Sequence, residues 1–332
     1  MADVTAVGGP DGSRRASHTM IAMMNKWVVT LLFVLRGATA LGAEPLAVLP
    51  SDTDPRISQF NSPHLAWLPD GRARNQLLVF LPGTGGKPEK GLFHPFAATA
   101  AGLGYHVVAL MYADNVAAQK KCAPSDDPDA YMKFRNAIIR GGAIGPHRAI
   151  PPQDSIESRL EQLLIYLDAQ YPERGWGQYL LKPKGGVRWR MVVVAGQSQG
   201  GGHSYMLGKS HEVARVLMFG SPKDYSSRFN APAKGFDSHT KTPLNRFFAY
   251  NHIRDNGNGC THEQQMKVLR QIGLPALGVA DADNPRPFYG HARVLYTNAD
   301  LGNSTKFHGS VLKGSLSVNR PVWKYMLTEA VD

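Results

Sequence analysis

The sequence predicts an α/β fold in which a mostly parallel sheet is covered by helices on both faces. Three observations carry that expectation. Short runs rich in Val, Leu and Phe are apolar throughout instead of alternating, the pattern of strands buried on both faces. Longer segments with apolar residues at helical spacing separate these runs. Gly, Pro, Asn and Asp stand where the runs stop.

In chain order, residues 1–43 read as an address rather than as structure. "MMNKWVVTLLFVLRGATALGAEP" carries Lys26, then an apolar stretch from Trp27 to Leu35, then small residues at Ala38–Ala40 and Ala43, the layout of a secretory signal. A bilayer span takes about 20 apolar residues, and Arg36 interrupts this shorter run. An N-terminal membrane anchor is therefore the lesser reading; no stable membrane insertion is expected once the signal is removed. The start is ambiguous, because Met20, Met23 and Met24 all precede the apolar run. Residues 44–332 are expected to form one catalytic domain, secreted or periplasmic.

Within that domain "NQLLVFLPGTGG" (Asn75–Gly86) reads as a buried strand and its loop, and "EKGLFHPFAATAAGLG" as a helix closing on Gly104. "YHVVALMY" (Tyr105–Tyr112) is the next strand. Residues 113–152, crowded with Pro, Gly and Asp, read as a long irregular stretch. A helix follows at Asp154–Gln170, capped by Asp or Ser, with Ile156, Leu160, Leu163, Leu164 and Leu167 on one face. "RWRMVVVAG" is a strand, "QGGGHSYMLG" opens a helix, and "ARVLMFGSP" is another strand. "NRFFAYNHIRD" and "ARVLYTNAD" supply two more strands, with the helix "THEQQMKVLRQIGL" between them and "RPVWKYMLTEA" as a last helix.

Composition limits the function classes. The chain has 332 residues, 43% hydrophobic and 19% charged, enough to bury a substantial core and unlike a disordered polypeptide. Its net charge of +11 comes from 37 basic and 26 acidic residues. The basic residues are scattered, with nothing longer than pairs such as Arg14-Arg15 and Lys120-Lys121, so no nucleic-acid stripe is indicated. The two cysteines, Cys122 and Cys260, form no C-x-x-C and suggest neither zinc nor a redox pair. In an exported protein they are expected to join in a disulfide, which stabilises by roughly 4 to 5 kcal/mol for a loop of this length. Two separate buried thiols are the alternative.

The chemistry gathers at Gly196-Gln197-Ser198-Gln199-Gly200, a G-x-S-x-G stretch between an apolar strand and a helix. In that context the serine occupies a sharp turn that lifts its hydroxyl above the sheet. A phosphate loop would need Lys after the last glycine, and a dinucleotide fingerprint would open the first βα unit; neither holds here.

On "LLVFLPGTGG", "VVVAGQSQGG", "RFFAYNHIRD" and "HGSV", the chain from about Gln76 to Glu329 resembles the α/β-hydrolase superfamily, and "LPGTGG" with "TNAD…HGS" and "CTHEQQ" resembles a group of secreted bacterial hydrolases. The resemblance implies the α/β-hydrolase fold and an order of nucleophile, acid, base. Ser198 is the expected nucleophile. His308, after the last predicted strand, is the expected base, ahead of His291, His262 and His252; His203, one turn past the serine, reads as a packing or hydrogen-bonding residue. Asp255, just beyond a strand, is the expected acid, with Asp281, Asp283 and Asp300 as rivals or mere turn residues. Oxyanion donors are expected from the N–H groups of Gln199 and, in "PGTGG", Thr84, with Gly83 and Gly85 adjacent. Many family members begin this loop with His-Gly, where Pro82-Gly83 stands here.

The expected function is cleavage of carboxylic esters, small or polymeric, through an acyl-enzyme, with no metal and no organic cofactor. The fold alone equally accommodates a peptidase or amidase, or a binding protein without catalysis. Tyr112, Tyr131, Phe134, Tyr225, Phe229 and Phe236, in the two loop regions beside strand ends, suit an apolar substrate pocket and suit packing equally. Oligomeric state is not legible.

Overall fold

The long apolar runs do become strands, and their burial explains why they lack alternation. A computed structural model describes residues 44–284, 286–300 and 307–331; the expected leader lies outside them. The strands are β1 (Leu46–Val48), β2 (His64–Trp67), β3 (Leu77–Leu81), β4 (His106–Ala109), β5 (Val192–Gln197), β6 (Arg215–Phe219), β7 (Phe247–His252), β8 (Val279–Asp281) and β9 (Val294–Thr297). They form one nine-stranded sheet in the order β1-β2-β4-β3-β5-β6-β7-β9-β8. β1 and β2 are antiparallel to their neighbours, and every pairing from β4 to β8 is parallel.

Successive residues of a strand point to opposite faces, and here each face has its own apolar layer. Leu77, Val79 and Leu81 of β3 join Val192 and Val194 of β5 on one side. Leu78 and Phe80 join Val193 and Ala195 on the other. Six helices cover the two layers: α1 (His94–Gly102), α2 (Ala130–Arg140), α3 (Ile156–Gln170), α4 (Gln199–Ser210), α5 (His262–Ile272) and α6 (Leu316–Thr328). Phe96 of α1 and Trp323 of α6 lie in the second layer, their rings 5.9 Å apart edge to face. α2, α3, α4 and α5 cover the first. No helix among the described residues is long and apolar enough to cross a membrane.

Three expectations need correction. The stretch 113–152 is not irregular: it holds a short helix (Ala118–Cys122), α2, and a two-stranded hairpin (Gly142–Gly145 with Arg148–Ile150). Turn-forming residues at its ends concealed Tyr131, Phe134, Arg135 and Ile138, a helical stripe with a charge in it. No strand is expected around Asp281, yet Val279–Asp281 forms edge strand β8. Cys122 and Cys260 are not bridged; both are buried free thiols. Each packs in the apolar layer, where burial pushes its pKa up to about 12 and keeps the thiol neutral.

Candidate active site

β5 runs directly into Ser198, which takes φ 55° and ψ −116°, and α4 begins at the next residue. Positive φ in a serine costs of order 1 to 3 kcal/mol and persists only where its surroundings impose it. Here they do. The Ser198 N–H donates to the Phe219 carbonyl of β6 at 2.9 Å. A Cβ on Gly200 would lie 1.9 Å from the Leu81 carbonyl oxygen, so only glycine lets α4 pass this close to β3. A Cβ on Gly202 would lie 2.2 Å from Arg135 Cζ. The glycine run thus makes room for backbone on one side and a guanidinium on the other.

That guanidinium is fully buried. Arg135 donates from Nε and Nη2 to the two carboxylate oxygens of Asp224 at 2.5 and 2.9 Å, and from Nη1 to the Gln199 carbonyl at 2.9 Å. It therefore ties α2 to the first residue after the elbow.

His308 sits on a single turn, Phe307–Gly309, ahead of α6. Its Nδ1 is 2.9 Å from Asp255 Oδ2. Gly257 is required beside it, because a Cβ there would lie 2.6 Å from the imidazole Cγ. The Gln197 side chain donates to the His308 carbonyl at 3.3 Å. Nε2 of His308 and Oγ of Ser198 are both buried without a hydrogen-bond partner, and both residues line one cleft. No hydrogen bond joins the two among the described residues.

Asp255 is held on all sides. Oδ1 accepts from the Gly257 N–H at 2.8 Å and from Lys223 Nζ at 3.1 Å; Oδ2 accepts from Gln265 Nε2 at 3.0 Å as well as from His308. Burial alone would raise its pKa. The His308 hydrogen bond and charge, the Lys223 ammonium and the Gly257 N–H outweigh burial and bring it down to about 2. The rivals stand elsewhere. Asp281 caps its own turn at Asp283 and Asn284, Asp283 accepts from Thr297 and Asn298, and Asp300 is exposed. Among the histidines, His291 pairs with Glu329 and His252 with the Ala299 carbonyl. His203 is fully buried edge-on to Tyr112, its two ring nitrogens unbonded.

A mostly parallel sheet covered by helices on both faces, with a serine on the sharp strand-to-helix turn after β5, decides the architecture. This is the α/β-hydrolase fold. No family model and no curated protein matches the chain. Among solved structures, it is similar to an α/β serine hydrolase homologue from Coxiella burnetii at 12% identity, over 87% of this chain and 98% of that one, with a TM-score of 0.43. A lidless α/β serine hydrolase from Xanthomonas campestris matches at 14% identity, over 86% and 94%, with a TM-score of 0.42. Thermogutta terrifontis esterase 2 matches at 12% identity, over 85% and 91%, with a TM-score of 0.42.

In this hydrolase fold the loop after β3 faces the elbow. Gly85 N–H is engaged by the Asp114 carbonyl and Gly86 N–H by the Gly83 carbonyl. Of the loop's candidates, Thr84 is hydrogen-bonded to the elbow, its hydroxyl donating to Gln199 Oε1 at 3.1 Å, and Gly83 lies against it, a Cβ there falling 3.3 Å from Ser198 Cβ. Gln199 opens α4, where an N–H has no intrahelical acceptor.

The structure decides between the two readings of the loop aromatics, in favour of packing. Tyr112, Tyr131, Phe134, Tyr225 and Phe236 are packed in the apolar layer, and Phe229 is exposed. The cleft is walled instead by Phe80, Leu92 and Phe93. Sequence reasoning also missed Lys223, Gln265 and Arg135. "SPKD" after β6 offers no pattern for the lysine, but Arg135 falls in register with Tyr131, Phe134 and Ile138, a position where a charge must be paired.

Proposed function

We propose that the protein is a serine hydrolase that cleaves carboxylic esters. The observation that supports this most directly is the His308–Asp255 pair, 2.9 Å apart, with His308 lining the same cleft as Ser198. His308 Nε2 takes the proton from Ser198 Oγ as the oxygen attacks the ester carbonyl. Asp255 holds Nδ1 protonated and offsets the imidazolium charge. The N–H groups of Gln199 and Thr84 receive the developing oxyanion; one such donor contributes roughly 3 to 4 kcal/mol to lowering the barrier in a hydrolase of this kind. His308 then returns the proton to the leaving alcohol, and water releases the acid by the same steps. Residues 1–43 are proposed to export the protein, which acts in the periplasm or outside the cell.

The test is hydrolysis of 4-nitrophenyl esters from acetate to octanoate by the wild type and by Ser198→Ala, with circular dichroism to verify folding. A fall of at least about 1,000-fold in kcat is expected for a folded variant. Equal rates would return Ser198 to an ordinary turn residue. Wild type inactive across the whole series would remove the ester reading.

A further inference from the structure

The cleft that holds Ser198 and His308 is small, about 370 Å³, and its wall is divided by chemistry. Phe80, Leu92 and Phe93 are apolar; Lys87, Lys90 and Lys120 are charged, and among the described residues no acidic one lines it. The lysines come from two places. Lys87 and Lys90 flank Pro88 and Glu89 just past the loop that carries Thr84. Lys120 belongs to the short helix Ala118–Cys122, whose first N–H donates to Gln199 Oε1 at 2.9 Å. Both segments are therefore anchored at the elbow.

All three side chains are exposed, and none is in an ion pair with a described residue. Elsewhere some surface lysines are paired, as Lys133 is with Asp127 and Lys182 with Asp168, while Lys121, Lys184, Lys241, Lys313 and Lys324 are exposed without an ion pair to a described residue; Lys87, Lys90 and Lys120 differ from these in lining the cleft of Ser198. Two carboxyl groups lie near the three. Glu89 is exposed and does not line the cleft. Asp114, which feels the charge of Lys87, is buried, and burial raises its pKa to about 7. Against three ammonium groups these two carboxyls offset the rim only in part and leave it net positive. A cleft bounded by one sign of charge over low-dielectric walls focuses its potential on whatever enters.

We propose that the cleft selects esters that carry a carboxylate a few bonds from the scissile carbonyl, the apolar chain lying against Phe80 and Phe93 and the carboxylate meeting the lysine rim. This rests on the serine-hydrolase reading and adds to it a substrate class. Exposed ion pairs are individually weak, each worth a few-fold in affinity, so three acting together give a preference of about tenfold.

The matched substrates are 4-nitrophenyl hexanoate and mono-4-nitrophenyl adipate, which differ by a carboxylate in place of a terminal methyl. At low ionic strength the wild type is expected to favour the adipate about tenfold in kcat/KM, and about 0.5 M NaCl should erase most of that ratio by screening. Replacing the rim together (Lys87→Ala, Lys90→Ala, Lys120→Ala) should bring the ratio to about one, whereas three Lys→Arg changes should keep it. A wild-type ratio near one, or a ratio indifferent to the alanine changes, overturns the proposal while leaving Ser198-dependent hydrolysis of the hexanoate intact. If neither ester is turned over, calorimetric binding of the intact adipate monoester to Ser198→Ala decides. Saturable binding weakened about tenfold by the alanine changes upholds anion selection without the ester chemistry, and no binding overturns it.

Discussion

Lys223 shares Asp255 with His308. Its ammonium is wholly buried and donates to Asp255 Oδ1, to the Gly257 carbonyl at 3.0 Å and to the Cys260 carbonyl at 2.9 Å. One side chain thereby fixes both the acid and the turn that Gly257 places against the imidazole. Removing one partner of such a buried pair typically costs about 3 to 5 kcal/mol, because the other charge is left uncompensated. Lys223→Met is accordingly expected to lower unfolding stability by about that much in urea titrations, with unchanged stability ruling out this anchoring role. At the same scale the cysteines are instructive. Their number and an expected export signal favour a bridge, but the packing that surrounds each thiol is a property of the folded chain and appears nowhere in the spacing.

At the scale of elements, the elbow shows how tightly α4 is docked. Arg135 of α2 reaches the Gln199 carbonyl only because position 202 has no side chain. Gly202→Ala would gain helix propensity, up to about 1 kcal/mol, yet its methyl must displace a guanidinium that is locked onto Asp224. Overpacking of that kind costs about 1 to 3 kcal/mol. We expect the variant to be destabilised in urea and its Ser198-dependent ester hydrolysis to fall; a stabilised variant would mean that the guanidinium yields freely. The glycines of this run are visible in the sequence as a group, but which neighbour each one admits is not. α3 was legible to its cap, Ser155, which accepts from the Ser158 N–H at 3.2 Å. α2 was missed because Pro and Gly crowd both sides of an 11-residue helix.

For the whole molecule, buried ionisable groups set the response to acid. Asp255 has a folded pKa of about 2, below its unfolded value near 4, so its contribution is complete above about pH 4 and is lost as pH falls toward 2. A shift of that size corresponds to about 2 to 3 kcal/mol. His64, buried at the sheet and accepting from the Met111 N–H at 2.9 Å, has its pKa lowered by burial to about 3. The unfolded chain therefore binds its proton first, and stability begins to fall below about pH 6.5. Urea unfolding at pH 7, 5 and 3 should show a progressive loss; a flat profile would contradict both assignments.

The sequence by itself determined the α/β class, most of the strands and the local turn at Ser198, because burial on both faces and a G-x-S-x-G turn are written in consecutive residues. Its resemblance to the α/β-hydrolases brought Asp255 and His308 forward as candidates, by the order that resemblance implies. Only the tertiary structure decided that these two meet, that Lys223 and Gln265 complete the acid's surroundings, that the cysteines stay apart, and that lysines instead of loop aromatics border the cleft. Each of those depends on segments separated by tens to hundreds of residues being brought to the same ends of parallel strands, and no local periodicity records which of them become neighbours.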